Sequence, residues 1–140
     1  MAKDIYHNLV REALSLEGWT ITHDPYYMPI GLGRRKVAAD LGAEKFIAAE
    51  KGLQKILVEI KSFVTSSNIN ELHHAVGQHD FYVLLLEGIE PDRIVFLAIP
   101  KDAYEDLIRE PIVQLFLKRH NVQLIIFDTE NPIIHQWLPS

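Results

Sequence analysis

The chain contains no cysteine, which excludes disulfide staples and metal sites built on thiolates. It has no apolar run long enough to span a bilayer and opens with no signal-peptide pattern, so a cytoplasmic protein with no membrane association is expected. It also lacks the positive excess of a freestanding nucleic-acid binder. Lys and Arg number 14 against 19 Asp and Glu, for a net charge of −5. Phosphate contacts supply much of such a protein's affinity, so a nucleic-acid role must rest on a local basic patch, a divalent metal or a partner that brings positive charge. No repeat, low-complexity run or interdomain linker divides the sequence. What is present is an ordinary globular balance, 48% hydrophobic and 24% charged over 140 residues. That suits one domain, residues 1–140, with a sizeable core.

The most informative stretch is Lys55-Ile56-Leu57-Val58-Glu59-Ile60-Lys61. At period two, Ile56, Val58 and Ile60 share one face and Leu57, Glu59 and Lys61 the other. β-Branched residues make it a strand, and its apolar character makes it a central one. Its end carries a carboxylate and an ammonium two residues apart. Burying either charge is costly unless it is paired or binds a metal, so Glu59-x-Lys61 is the first candidate site.

The remaining elements follow in order. Asp4 to Glu17 reads as an amphipathic helix capped by Asp4 and stopped at Gly18. Its broad apolar arc includes Ile5, Tyr6, Val10, Leu14 and Leu16, with Glu12 at the border. Trp19 to Thr22 is a short strand. His23 to Lys36, with two prolines and two glycines, reads as a loop. Tyr26, Tyr27 and the cluster Arg34-Arg35-Lys36 in that loop can grip a phosphate backbone or stack on bases, or can be solvated. Val37 to Leu41 is a second strand, and Lys45 to Ala49 continues it or forms a third. Ser62 to Asn68 is a polar linker, and Asn68 with Glu71 has capping-box spacing.

A long helix from about Ile69 to Glu87 is expected to bury Ile69, Leu72, Val76, Val83 and Leu86. Gln78 and Tyr82 lie at the border of that arc. His73, His74 and His79 lack ligand spacing and are read as surface or half-buried. Strands at Arg93 to Ile99 and Val122 to Asp128 flank helices through Ile108 and from Pro111 to Arg119. Ile133 to Trp137 is an edge strand or a packing tail. Strands followed by helices on both sides suggest a three-layer α/β/α arrangement with a mixed central sheet.

Asp40 and Glu59 fall near the ends of two strands expected to be neighbours. Adjacent strands lie roughly 5 Å apart, so two carboxylates facing one way can share a divalent cation. An all-oxygen set favours Mg²⁺ or Mn²⁺. Such a metal lowers the pKa of bound water and stabilises charge on a phosphodiester. Lys61 projects into the same space, where it can orient or deprotonate the attacking water or stabilise developing charge.

Asp40…Glu59-x-Lys61 resembles the motif of the PD-(D/E)xK nuclease superfamily, with Ala39 in place of the proline before the aspartate. The resemblance implies a restriction-endonuclease-like fold with a core αβββαβ. It also implies supporting roles for Glu12, on the first helix, and for Gln78 with Tyr82. A second resemblance runs along almost the whole chain. Ala2-Lys3-Asp4-Ile5-Tyr6-His7, Gly18-Trp19-Thr20-Ile21-Thr22-His23-Asp24-Pro25, Asp40-Leu41-Gly42-Ala43-Glu44 and Val58-Glu59-Ile60-Lys61-Ser62-Phe63 look like XisH. That family is named for controlling factors of fdxN element excision in cyanobacteria. It implies a role in site-specific DNA excision alongside a recombinase and a small XisI-like partner. A homodimer is a further candidate assembly.

Three readings stand at this point. The chain is a metal-dependent nuclease with Asp40 and Glu59 on the metal, Lys61 aiding the water, and Glu12 and Gln78 in support. Alternatively it is a non-catalytic regulatory module on a nuclease scaffold, which the acidic charge favours. In the third, Glu59 and Lys61 form a simple ion pair and Asp40 is a turn residue.

Overall fold

The structure, a computed structural model, describes residues 2–50, 52–63 and 68–139, with side chains from residue 4 onward. The elements are α1 (Ala2–Leu16), β1 (Thr20–His23), β2 (Tyr26–Pro29), β3 (Lys36–Ala39), β4 (Leu41–Ile47), β5 (Gly52–Ile60), α2 (Asn68–Glu87), β6 (Arg93–Pro100), α3 (Lys101–Ala103), α4 (Pro111–Arg119), β7 (Gln123–Phe127) and β8 (Ile134–Leu138). A 3₁₀ turn (Ala48–Glu50) joins β4 to β5, and a π-helical turn (Tyr104–Ile108) follows α3.

Six strands form one mixed sheet in the order β1-β4-β5-β6-β7-β8. β5, β6 and β7 run parallel, and the outer pairs are antiparallel. Parallel neighbours require crossovers, which here are α2 and the α3–α4 pair. The alternation expected along β5 sets the two cores. Ile56 and Val58 pack with Val10 and Leu14 of α1, while Leu57 packs with Tyr82 and Leu86 of α2. Ile56, Leu57 and Val58 are all fully buried, as a central strand covered on both faces requires. A further cluster joins Leu72 and Val76 of α2 to Leu117 of α4 and to Leu97, Ile99, Leu124 and Ile126 of the sheet. The fold is thus mixed α/β, with helices on both sheet faces.

Several expectations are corrected. The segment read as a loop from His23 contains β2, which pairs with β3 in a separate two-stranded sheet. Tyr26 and Met28 are buried while Tyr27 and Pro29 are not, a period of two hidden among turn residues. Pro29 is tolerated because it ends a strand that has a single partner. The strand expected from Val37 to Leu41 is broken at Asp40: β3 belongs to the hairpin and β4 to the main sheet. Close packing marks this junction, since a Cβ on Gly42 would lie 2.9 Å from the Tyr26 ring and 3.0 Å from His23 Nδ1.

Helix α1 starts before Asp4, which lies in its first turn. Ile5 and Leu16 are exposed, so the buried stripe of α1 is narrower than expected and excludes Glu12. On α2, Ile69 and Val83 are exposed, and Ala75, His79 and Tyr82 take their places inside. His79 is buried, contrary to its expected surface or half-buried position, and its Nδ1 lies 2.9 Å from Asp80 Oδ1. Residues 64–67 of the expected polar linker lie outside the described residues. The C-terminal segment is resolved in favour of an edge strand, β8, antiparallel to β7.

Candidate functional site

The site lies where β5 ends. Asp40 occupies the single residue between β3 and β4, and β4 pairs with β5 so that Leu41 stands opposite Val58. This register brings Asp40 beside the last residues of β5. Its Oδ2 accepts the Ile60 backbone N–H at 2.7 Å, so the carboxylate is fixed by the strand end. Glu59 points to the α2 face, as its parity with Leu57 requires, and is buried at 8% exposure. Lys61 follows β5 on the same side, held by its N–H to Ala98 O at 2.9 Å. Its Nζ is 3.3 Å from Glu59 Oε2, and both side chains are about nine-tenths buried.

The electrostatics follow from this enclosure. Burial, and then the neighbouring Asp40 charge, push the Glu59 carboxyl up to about 7; Lys61 opposes both. From α2, the Tyr82 hydroxyl stands 3.5 Å from Glu59 Oε1 and 3.4 Å from Ala38 O, long contacts that orient rather than bind tightly. Burial and the nearby Glu59 charge raise the Tyr82 phenol. The Gln78 side chain lies against that hydroxyl. Its Oε1 is buried without a hydrogen-bond partner among the described residues. A buried acceptor of this kind suits an ordered water.

A cleft of about 170 Å³ opens here, lined by Tyr6, Glu59, Ile60, Lys61, Ser62 and Glu71. Sequence reasoning singled out only Glu59 and Lys61 of these as site residues; Ile60 and Ser62 flank them in the strand end, and Tyr6 and Glu71 come from the two helices. Tyr6 looked like one more core residue of α1, and its ring packs edge-on against Phe127. Glu71 looked like a helix-capping residue, and its Oε1 accepts the Phe63 N–H at 2.9 Å. The eight residues that separate it from Phe63 carry no periodic signal. The structure therefore brings Asp40, Glu59, Lys61, Gln78 and Tyr82 to one region. Glu12 is not among the residues lining the cleft. It is exposed on α1, away from the stripe of Val10, Ala13 and Leu14 that meets the sheet.

Among the described residues no cluster of three or more His, Cys, Asp or Glu side chains is arranged to hold a metal ion. The donors at this site fit a hard cation that keeps much of its water. Asp40 and Glu59 supply two carboxylates, and Gln78, against the Tyr82 hydroxyl, has a buried Oε1 without a hydrogen-bond partner among the described residues. Mg²⁺ is commonly held by one or two carboxylates with water completing the shell.

The elevated Glu59 carboxyl has a thermodynamic consequence. The folded state holds a proton at Glu59 between pH 4.5 and about 7 that the unfolded chain releases. Stability therefore falls as pH rises through that window, by about 3 kcal/mol for such a change in proton affinity. Glu59→Gln removes this loss but also leaves Lys61 without its acid. The expected net result in chelator is a gain of about 1–2 kcal/mol at pH 8, vanishing below pH 4.5. Denaturant unfolding at pH 8 and pH 4 measures it, and a less stable variant at pH 8 contradicts the assigned burial cost.

Comparison with known proteins matches the chain to one family. The XisH protein family model matches residues 1–135. The crystal structure of an fdxN element excision controlling factor protein from Anabaena variabilis is 34% identical, covers 96% of this chain and 98% of its own, and superposes with a TM-score of 0.84. An XisH family protein from Nostoc punctiforme is 33% identical, with 95% and 98% covered and a TM-score of 0.81. No curated protein matches the chain. With a family match across nearly the full length and the same fold at one-third identity, the chain belongs to the XisH family.

Proposed function

We propose that this chain controls excision of a DNA element and does so through a metal-dependent phosphodiesterase site at Asp40, Glu59 and Lys61. The single observation that carries the reading is the enclosure of two acids and a lysine at one strand end. The lysine is 3.3 Å from one acid, and the second acid is fixed on the adjacent backbone N–H. A simple structural ion pair gains little from burying a second carboxylate beside the first, and the raised Glu59 carboxyl registers that cost. A functional site explains why the cost is retained.

In this reading Asp40 and Glu59 hold Mg²⁺ or Mn²⁺. The bound ion would supply an acidic water and charge stabilisation. Lys61 stands where it can orient the attacking water or neutralise charge developing on the phosphate. Tyr82 and Gln78 position Glu59 and the water around it. The two crystal structures superpose over nearly the whole chain. One of them is an fdxN element excision controlling factor protein, which supports the biological role. DNA, an XisI-like protein and a recombinase are the partners this reading proposes. A restriction-endonuclease-like scaffold belongs to the same proposal. The net charge of −5 favours a second reading, in which the scaffold recruits such partners without cutting.

Thermal unfolding with added Mn²⁺ tests the site directly. At pH 8, Mn²⁺ at 100 times its dissociation constant stabilises the native chain by about 2.7 kcal/mol, a rise of several degrees in Tm. At pH 5 the rise is smaller, because a proton competes for Glu59. A melting point that stays flat through millimolar Mn²⁺ at pH 8 ends the metal reading.

A further inference from the structure

The segment expected to be a loop is a two-stranded arm with an uneven charge. Residues 25–39 contain Arg34, Arg35 and Lys36 and no carboxylate. The remaining eleven Lys and Arg stand against nineteen Asp and Glu, a balance of −8. The hairpin is therefore the concentrated positive surface of an acidic molecule. Its inner face is anchored: Tyr26, Met28 and Ala39 pack with Leu57, Tyr82, Leu86 and Val95. Its outer face is free. Tyr27 is 54% exposed, and the Lys36 ammonium sits 4.1 Å from the centre of its ring. Arg34 and Arg35 are exposed and make no ion pair with the described residues.

The tip projects into open space. A Cβ on Gly31 or Gly33 would meet nothing within 4 Å, and Gly31 supplies the positive φ of 68° that the turn uses. Between them Leu32 is fully exposed, at 105%. A large apolar side chain held at a tip between two glycines, with two arginines after the second, gains nothing from the fold. That combination suits a groove of duplex nucleic acid, where apolar tips contact bases and cations hold the phosphates. β3 then runs directly into Asp40. Lys36 and Asp40 are four residues apart, about 13 Å of extended backbone, or about four base-pair steps of duplex.

We propose that the β2–β3 hairpin is a duplex-binding arm that delivers DNA to the strand-end site, with Arg34, Arg35 and Lys36 on phosphates and Leu32 in the groove. The inference rests on the phosphodiesterase reading above for its substrate, and it adds the element that overcomes the acidic net charge.

The test measures binding of a fluorescent duplex by the full chain in Ca²⁺ over a salt series. The triple variant Arg34→Ser, Arg35→Ser, Lys36→Ser is expected to weaken binding at least about tenfold and to lower the slope of log affinity against log salt by about two to three. Leu32→Ser weakens binding several-fold and leaves the slope unchanged. The Mn²⁺-induced rise in Tm is the same in all three proteins, because none of these side chains lines the cleft. An unchanged affinity and slope in the triple variant overturns the arm, and a silent Leu32→Ser removes the tip from the contact. Lys61-dependent cleavage with no role for the hairpin defeats this inference alone. A native chain that neither binds nor cuts any duplex defeats both.

Discussion

If the proposed phosphodiesterase site is correct, Lys61→Ala is expected to lower Mn²⁺-dependent cleavage of duplex DNA by at least about 100-fold and to leave the Mn²⁺-induced rise in Tm in place. The size follows from losing one fixed cation aimed at charge that develops in the transition state, where such groups are worth roughly 10²–10³ in rate. The retained metal response follows from geometry. Lys61 contacts Glu59 Oε2 at 3.3 Å and carries no lone pair for a metal when protonated. Removing its positive charge from a site with two carboxylates strengthens cation binding if it changes it at all. Asp40→Asn is expected to behave differently and to lose both cleavage and the metal response, since it takes away one of the two carboxylates proposed to hold the ion. Cleavage that survives Lys61→Ala places the chemistry elsewhere. A metal response without cleavage in the native chain, with or without an XisI-like protein present, turns the reading toward recruitment.

Arg93→Ala is expected to give the largest loss of stability, about 3–5 kcal/mol and roughly 10–20 °C in Tm for a domain of this size. The guanidinium is almost wholly enclosed, its side chain 1% exposed. Its Nε donates to Glu90 Oε1 at 2.9 Å, and its NH1 to Ile56 O at 2.9 Å. Its NH2 donates to Glu44 Oε2 and Glu90 Oε2, each at 3.2 Å. The fork also lies 4.8 Å from the centre of the Tyr26 ring, whose hydroxyl donates to Glu90. Arg93 thus ties β4, β5 and β6 to the base of the hairpin.

Truncation leaves the buried Ile56 carbonyl without the guanidinium's hydrogen bond and removes three hydrogen bonds from Glu90 and Glu44, which is why the cost exceeds that of a surface pair. The Arg93 hydrogen bonds hold the Glu90 carboxyl down at about 2. That part of the stability is complete above pH 4.5 and is lost as pH falls toward about 2. The variant therefore also flattens the acid limb of the stability profile in that window. Arg93→Lys recovers a minor part, because an ammonium cannot serve the two acids and the carbonyl at once. A loss under 1 kcal/mol for Arg93→Ala shows that the network contributes little.

Arg93 also illustrates what periodicity cannot convey. In sequence it is only the polar first residue of a strand, and its burial depends on Glu44 and Glu90 arriving from 49 and 3 residues away. His79 is similar. A histidine beside an aspartate reads as surface or half-buried, yet the turn of α2 carries it inside while Ile69 and Val83 face outward. Glu12, read at the border of the apolar arc, is exposed. Counting Ile5 and Leu16 as core widened the apolar arc of α1 until it reached an acid that faces solvent. Resemblance to a superfamily motif assigned that acid a role. The cleft instead receives Tyr6 from α1 and Glu71 from α2.

The amino-acid order by itself determined the central strand, its two-faced character, the positions of the long helices, the family and the grouping of Asp40 with Glu59 and Lys61. These are written in local patterns: a period of two, a period of 3.6, and charges set where apolar residues belong. Tertiary structure alone decided that Asp40 stands between two sheets with its carboxylate on the Ile60 N–H. It also decided that Tyr6 and Glu71 complete the cleft and that the basic segment is a braced arm. Each of these depends on strand pairing and helix placement between residues far apart in the chain, and a one-residue slip in that pairing would turn every one of those side chains to the opposite face.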